Sequence, residues 1–338
     1  VRVSVLDMTL ARRSILAAAG AALASGCTNA RTAAQPEPPD GWRTGPDAPY
    51  AVQEIYPALH RGAIWIAGGF APLAAFGATQ RVIVLNVASN SWSEGPRLPT
   101  PSHHVQLASL NGELYAIGGF LGGDNRRRWI CTPRVLKLDG EGWIEAPSLP
   151  KPIAEGMPLV HAGRIHLIGG RSPQSAANQE WDDQIDVDDH FVFTPAGGWE
   201  RAAPLPMARN SHGGAVLGDD LHLISGRTVA NGQTPAHDIY DTRTARWRAG
   251  AAFPEARGGI AAAAWRGKIV AGGGEIFEPG SVGDTLYEFT GDAWSAFTQM
   301  PTPRHGHGFV SANERLYALG GARRPSADGT LSNVDVLS

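Results

Sequence analysis

From residue 63 onward the chain alternates short apolar runs with glycine-marked polar gaps. Six runs share one shape, a handful of mostly apolar residues closed by Gly-Gly or Ser-Gly: AIWIAGG (63–69), ELYAIGG (113–119), RIHLIGG (164–170), DLHLISG (220–226), KIVAGGG (268–274) and RLYALGG (315–321). Runs this short, bounded by glycine, read as β-strands, and the glycine marks a strand end that needs φ > 0 or close approach to a neighbour. A second strand follows after a variable gap, as in RVIVLNV (81–87), RVLKLDG (134–140) and HDIYDTR (237–243). A tryptophan then closes the unit. Trp92, Trp143, Trp199, Trp247 and Trp294 are 51, 56, 48 and 47 residues apart. One such unit cannot bury both faces of its sheet, so the units must stack, with tryptophan area wedged between adjacent sheets.

A period near 50 with these marks resembles the kelch repeat, in which each unit is one four-stranded propeller blade. The resemblance covers roughly residues 41–338 and implies an all-β fold, a six-bladed kelch-type β-propeller. Gly320-Gly321 is followed by NVDVLS (333–338) with no tryptophan, whereas GWRTGPDAP (41–49) matches SWSEGPRLP (91–99). The segment around Trp42 is therefore expected to supply the outer strand of the last blade, leaving no open sheet edge at the seam.

Residues 1–27 read as a signal peptide. Arg12-Arg13 precede an apolar run from Ile15 to Ala24, too short for the about 20 residues that span a bilayer. The order Arg-Arg-Ser-Ile-Leu resembles a twin-arginine export signal. ALASGC (22–27) resembles a lipoprotein box, imperfect because Ala24 stands where Leu is usual. It implies a lipid on Cys27, with cleavage near Ala22–Ser25 as the alternative. Residues 28–40, TNARTAAQPEPPD, form a polar, Pro-rich linker. A periplasmic or secreted protein is expected, lipid-anchored if Cys27 is acylated. The other cysteine, Cys131, then has no partner and is expected to be an inert thiol.

Charge adds an exclusion. With 29 basic and 32 acidic residues, the chain lacks the electropositive balance of a nucleic-acid binder. The 42 glycines and 25 prolines show no G-X-Y period, so they mark turns and not collagen.

In a four-stranded blade the inner strand begins, and the second strand ends, at one rim. A first set of residues should gather there: Val52-Gln53-Glu54, Ser102-His103-His104, Ile153-Ala154-Glu155, Arg209-Asn210-Ser211, Arg257-Gly258-Gly259 and Arg304-His305-Gly306. A second set, following the glycines, is Phe70, Phe120, Arg171, Arg227, Glu275 and Ala322. The expected mouth sets a cationic arc (Arg171, Arg209, Arg227, Arg257, Arg304) against an aromatic one (Phe70, Phe120). Three of these arginines stand in a Pro-x-x-Arg motif, Arg209 after Pro206, Arg257 after Pro254 and Arg304 after Pro301, and each reads equally as scaffold, as in many kelch units, or as site. Arg209 and Arg304 are expected to knit neighbouring blades, whereas Arg227 and Glu275 are expected to matter little for folding. Five guanidinium groups near one axis repel unless anions offset them, which suggests a carboxylate-bearing ligand.

Two patterns carry metal-ligand residue types. In EWDDQIDVDDH (180–190) a helical turn would align Asp182, Asp186 and His190. That spacing resembles the iron-binding spacing of plant specifier proteins, also kelch propellers, with Asp in place of their first Glu. The same stretch reads as a solvated acidic loop. Nothing fixes the separation of His103, His104 and His305, and the copper and tyrosine–cysteine link of galactose oxidase has no match. No cofactor is assigned.

Two functions fit. One is a small anionic or sugar-like ligand held at the mouth by the arginines with Asn210, His103 and His104. Its acid–base candidates are Glu275, Glu155 and His305, by analogy with bacterial N-acetylneuraminate epimerase. The other is a non-enzymatic scaffold, expected as a monomer, whose loops, including DNRRRWI (124–130), contact another envelope protein.

Overall fold

The computed structural model describes residues 41–72, 77–122, 129–326 and 328–338. The signal and linker readings, with Arg12, Arg13 and Cys27, lie outside the described residues, as does most of the 124–130 loop.

The apolar runs fold as second strands, each flanked by an inner strand and a third strand. In the first blade the order is Ala58–His60, Ala63–Ala67, Val82–Asn86 and Ser91–Gly95, all antiparallel. Six sheets of this order occur among the described residues, five of four strands and one, built on Gly258–Trp265, with Ser281–Val282 as an added fifth. Their inner strands are Ala58–His60, Gln106–Leu110, Met157–His161, Gly213–Leu217, Gly258–Trp265 and Gly308–Ala312. Each lies beside the next, and the sixth returns to the first. The fold is a β-propeller.

The seam closes as the sequence pattern requires. Trp42–Thr44 pairs antiparallel with Val334–Leu337 as the outer strand of blade 6, with Trp42 opposite Leu337. Tyr50, Val52 and Ile55 then pack with Ile64 and Ile83 of blade 1 and with Val310 and Tyr317 of blade 6 in one cluster.

The repeat tryptophans join blades by a polar bond as well as by area. Each indole Nε1 donates to a carbonyl just past the outer strand of the preceding blade: Trp92 to Pro46 (2.9 Å), Trp143 to Pro96 (2.8 Å), Trp199 to Pro147 (2.8 Å), Trp247 to Ala203 (2.9 Å) and Trp294 to Ala251 (3.1 Å). The glycine pairs let strand ends meet the neighbouring chain. A Cβ on Gly170, at φ 103°, would lie 2.4 Å from the Ala154 carbonyl oxygen.

The stretch 180–190 departs from its expected helical turn. Only Trp181–Asp183 turns, as a short 3₁₀ segment, and Gln184–Asp186 then pairs with Arg171–Pro173 as a small ribbon. Asp182 is exposed, Asp186 faces blade 4, and His190 is buried in blade 3 against His166 at 2.9 Å. Strand pairing to Arg171–Pro173 outweighs the helical spacing and separates the three groups. Cys131 is a free thiol, buried, and burial pushes its pKa well up, which suits an unreactive side chain.

Candidate active site at the propeller mouth

The two sets of rim residues meet as paired bridges, one per blade. Gln53 pairs with Phe70, His103 with Phe120, Ala154 with Arg171, Asn210 with Arg227, Gly258 with Glu275 and His305 with Ala322. Just inside each bridge the chain turns into the inner strand through one left-handed residue: Glu54 (φ 57°), His104 (53°), Glu155 (55°), Ser211 (52°), Gly259 (66°) and Gly306 (56°).

These six residues form a belt around the axis. Glu54 N–H donates to Gly306 O (2.7 Å), His104 to Glu54 (3.0 Å), Ser211 to Glu155 (3.2 Å), Gly259 to Ser211 (2.8 Å) and Gly306 to Gly259 (3.0 Å). Four belt members are not glycine, and all four are polar. Non-glycine residues in this region are uncommon and strained, and such strain concentrates at functional sites. Gly306 has a separate reason to be glycine: a Cβ there would lie 2.7 Å from Glu54 Oε1.

A polar network runs across the belt. His104 Nε2 meets Glu54 Oε2 at 2.9 Å, and its Nδ1 stands within hydrogen-bond distance of His103 Nδ1, at 2.7 Å. His305 Nδ1 stands 3.7 Å from Glu54 Oε1 and 3.5 Å from Glu275 Oε2, while its Nε2 is 2.8 Å from Arg324 O. Glu275 Oε2 also accepts the Ser326 N–H at 2.7 Å. Arg227 ties three blades together, donating to Asn210 Oδ1 (3.1 Å), Glu275 Oε1 (3.0 Å) and Glu155 Oε2 (3.5 Å). Ser211 Oγ donates to Glu155 at 2.6 Å.

The carboxylates differ in their proton affinity. Burial raises Glu54, but His104 and His305 overcome it and bring the pKa down to about 2. Burial likewise opposes the charge on Glu155, and His104, Arg171, Arg227 and the Ser211 hydroxyl outweigh it, so its pKa is lowered. At Glu275 burial wins over His305 and Arg227, and the pKa is raised.

Above the belt lies a cavity of about 510 Å³. Its polar wall is Glu54, His104, Arg227, Glu275 and Gln53, and its aromatic wall is Phe70, Trp129, Trp181 and Phe277. A second cavity of about 390 Å³ runs between the inner strands and reaches Glu54 from below.

Several expected site residues stand elsewhere. Arg209 and Arg304 are fully buried inside their own blades. Arg209 donates to Asp238 (2.7 Å) and to the Ser225 and Leu223 carbonyls, and Arg304 pairs with Asp335 and the Gly320 carbonyl. They stitch strands of one sheet and do not reach the mouth or a neighbouring blade. Arg257 pairs with Glu255 at 2.9 Å. Arg171 lies under Trp181, its guanidinium 3.9 Å from the ring centroid and 3.7 Å from Glu155. The cationic arc is therefore corrected: each arginine has a carboxylate of the chain beside it. Phe120 and Asn210 are wholly buried, and His103 is stacked 4.0 Å from Phe70 and 5.1 Å from Phe120. Glu155 is buried beneath the belt, where it holds Arg227 and Ser211. Glu275 and Arg227, expected to be dispensable for folding, are paired, the first buried and the second mostly so.

Glu54 was in the first rim set without being singled out, and its register with Glu155 was the available signal. Trp129, Trp181 and Phe277 carried no sequence signal, because they reach the mouth from loops of differing length. Among the described residues no three His, Cys, Asp or Glu side chains converge as a metal site.

No family model matches the chain. Kelch-like protein terF of Aspergillus terreus is 26% identical over 316 residues, covering 88% of this chain and 68% of that protein. Alpha-scruin of Limulus polyphemus is 27% identical over 56% of this chain, which spans only 21% of the scruin. The solved structure titled "Structure of YjhT" superposes with a TM-score of 0.71 at 17% identity, over 87% of this chain and 99% of that one. At that identity the likeness is one of fold.

Proposed function

This chain is a kelch-repeat β-propeller, and we propose that its mouth binds a small hydroxyl-rich ring compound of the sugar class and acts on it by acid–base chemistry. The observation that carries this reading is the divergence of Glu54 and Glu275, two carboxylates flanking His305, one held ionised and one drawn toward its protonated form. Neighbouring groups pushed apart in this way are suited to serve as base and acid. Ring opening or epimerisation of a sugar needs both. Trp129, Trp181 and Phe277 offer flat faces for ring C–H groups, and Gln53 and Arg227 offer hydroxyl partners. Of the ligand classes expected, the sugar-like one fits and the anionic one does not. Glu155 already pairs with Arg171 and Arg227, and the Glu54 carboxylate lines the same cavity, so an added anion would find Arg227 taken and a like charge beside it.

The test is polarimetry of freshly dissolved α-glucose, α-galactose and α-N-acetylglucosamine with the full chain. Faster equilibration of one sugar, lost in Glu275→Gln and in Glu54→Gln, is expected. No acceleration, with no melting shift by any of the three, sinks the reading.

A second reading, a protein-interaction scaffold, is a use the kelch fold supports. Ile185, Val229 and Phe277, which are 39%, 47% and 44% exposed, sit on the loops of three consecutive blades around the mouth. Partner capture from an envelope extract that Val229→Asp abolishes would favour it. Export is part of either proposal: Arg12→Lys with Arg13→Lys should hold the precursor in the cytoplasm, and Cys27→Ala should release an anchored form. Unaltered fractionation of both variants would remove export by this route.

A further inference from the structure

We propose that the ligand continues past the mouth, so that the site takes a neutral two-unit glycoside with its second unit in a cleft between the loops of blades 1 and 6. This rests on the sugar reading above. Gln53 and Phe70, which exchange backbone hydrogen bonds of 3.0 and 2.9 Å, form one wall of the mouth cavity. On their other side is a separate cavity of about 210 Å³, lined by the same two residues with Ala71, Pro72, Asp328 and Thr330. Two cavities that share a wall of two residues on one rim form a continuous seat for a ligand bent over that wall.

The chemistry of the cleft suits hydroxyl groups. Gln53 Nε2 donates to Thr330 Oγ1 at 3.0 Å, which leaves the Thr330 O–H to donate outward. Asp328 is an exposed carboxylate that receives Arg324 Nη1 on Oδ2 at 2.7 Å. The Arg324 side chain beside it holds its pKa down, so it is an ionised acceptor. Pro72 and Ala71 add an apolar surface for ring C–H groups. Among the described residues no cation lines the cleft to hold a phosphate or a uronate, whereas the Asp328 carboxylate and the Thr330 hydroxyl offer acceptor and donor to a neutral polyhydroxylated unit. The spacious mouth and the smaller cleft therefore match a ligand whose reacting ring lies at the belt and whose second ring lies outside it.

The experiment is calorimetric titration of the full chain with three matched pairs: glucose and cellobiose, galactose and its β-1,4 dimer, N-acetylglucosamine and its β-1,4 dimer. Asp328→Ala is titrated beside the parent; Asp328 is exposed and lies outside the belt network. At least one disaccharide is expected to bind roughly tenfold tighter than its monosaccharide, about 1.4 kcal/mol. Asp328→Ala should erase that gain and leave monosaccharide affinity unchanged. Monosaccharide binding without a disaccharide gain overturns the second seat and spares the mouth reading. A gain that survives Asp328→Ala overturns its placement in this cleft. Silence from all six sugars overturns both.

Discussion

Arg304, fully buried, and Arg227, mostly buried, are arginines near the same rim, yet they belong to different parts of the molecule's working. Every side-chain partner of Arg304 among the described residues lies in its own blade: Asp335 and the carbonyls of Thr302, Ala318, Gly320 and Asn333. Arg227 reaches Glu155 in blade 3 and Glu275 in blade 5 from its place in blade 4. An arginine enclosed in one sheet is a strut that each blade supplies for itself. An arginine that crosses blades at the axis is held in place by the ring as a whole, and it faces the cavity. The arginine of the Pro-x-x-Arg motif is scaffold in blades 4 and 6, and the site arginine is the one that follows the glycine.

The largest effect should come from the strut. Arg304→Ala strands the buried Asp335 carboxylate and should cost roughly 3–5 kcal/mol in denaturant unfolding, with Arg304→Met/Asp335→Leu recovering most of it. If the single variant stays within about 1 kcal/mol of the parent, the strut reading is wrong.

Arg227→Ala should come next. It removes charge-assisted bonds to two carboxylates, but Glu155 keeps the Ser211 hydroxyl and Glu275 the Ser326 N–H, so the net loss should be roughly 1.5–3 kcal/mol. Because Arg227 also lowers the pKa of Glu155 and Glu275, Glu275→Gln in the Arg227→Ala background should restore part of the loss. An Arg304→Ala chain gains nothing from the same second change. Equal rescue in both backgrounds would erase the distinction.

A smaller, graded effect concerns pH. Buried imidazole pairs, His166–His190 and His222–His237, each 2.9 Å apart, pack under the interblade aromatics. Burial first, then a neighbouring His, lowers His166 to about 3 and His222 to about 4. Burial lowers His190 to about 4. Unfolded imidazoles take up protons near pH 6.5, whereas folded His166, His190 and His222 do so only at about pH 4 or below, and burial lowers His237 as well. The unfolded state therefore binds more protons in that window, and stability falls as pH drops from 6.5 toward 4. The melting temperature should follow that slope, and His222→Gln/His237→Gln should flatten it. A parent whose melting temperature is flat across the window would contradict the buried-pair account.

The smallest effect belongs to the surface. Arg81 pairs with Glu94 where both are partly exposed, so Arg81→Ala should cost less than about 1 kcal/mol. A loss rivalling Arg304→Ala would mean that enclosure is not what separates the classes.

The fold was legible because its signals are local. Apolar runs closed by Gly68-Gly69 or Gly320-Gly321 report strand ends, and the match of 41–49 to 91–99 reports the outer strand of blade 6. The pairing of the two rim sets followed from strand direction alone. The roles of the arginines did not, because they depend on third-strand residues far along the chain. Asp238 and Asp335, each in the third strand of its blade, were the signals that would have assigned Arg209 and Arg304. Asp182, Asp186 and His190 misled because a spacing of four describes a helix, and the chain there had a sheet partner in Arg171–Pro173. Glu54 acquires its character from His104, His305 and the space left by Gly306, which only the closed ring brings together.

The central claim, that the belt and its aromatic wall are the ligand site while the repeat tryptophans are scaffold, is tested most directly by indole N–H resonances. Glucose, galactose and N-acetylglucosamine, and their three disaccharides, are titrated into the ¹⁵N-labelled chain, with assignments from single Trp→Phe variants. The account predicts saturable shifts for Trp129 and Trp181, which line the mouth. Trp92, Trp143, Trp199, Trp247 and Trp294, each bonded to the preceding blade, should not move. Shifts confined to those five, or no shift with any of the sugars, would contradict it.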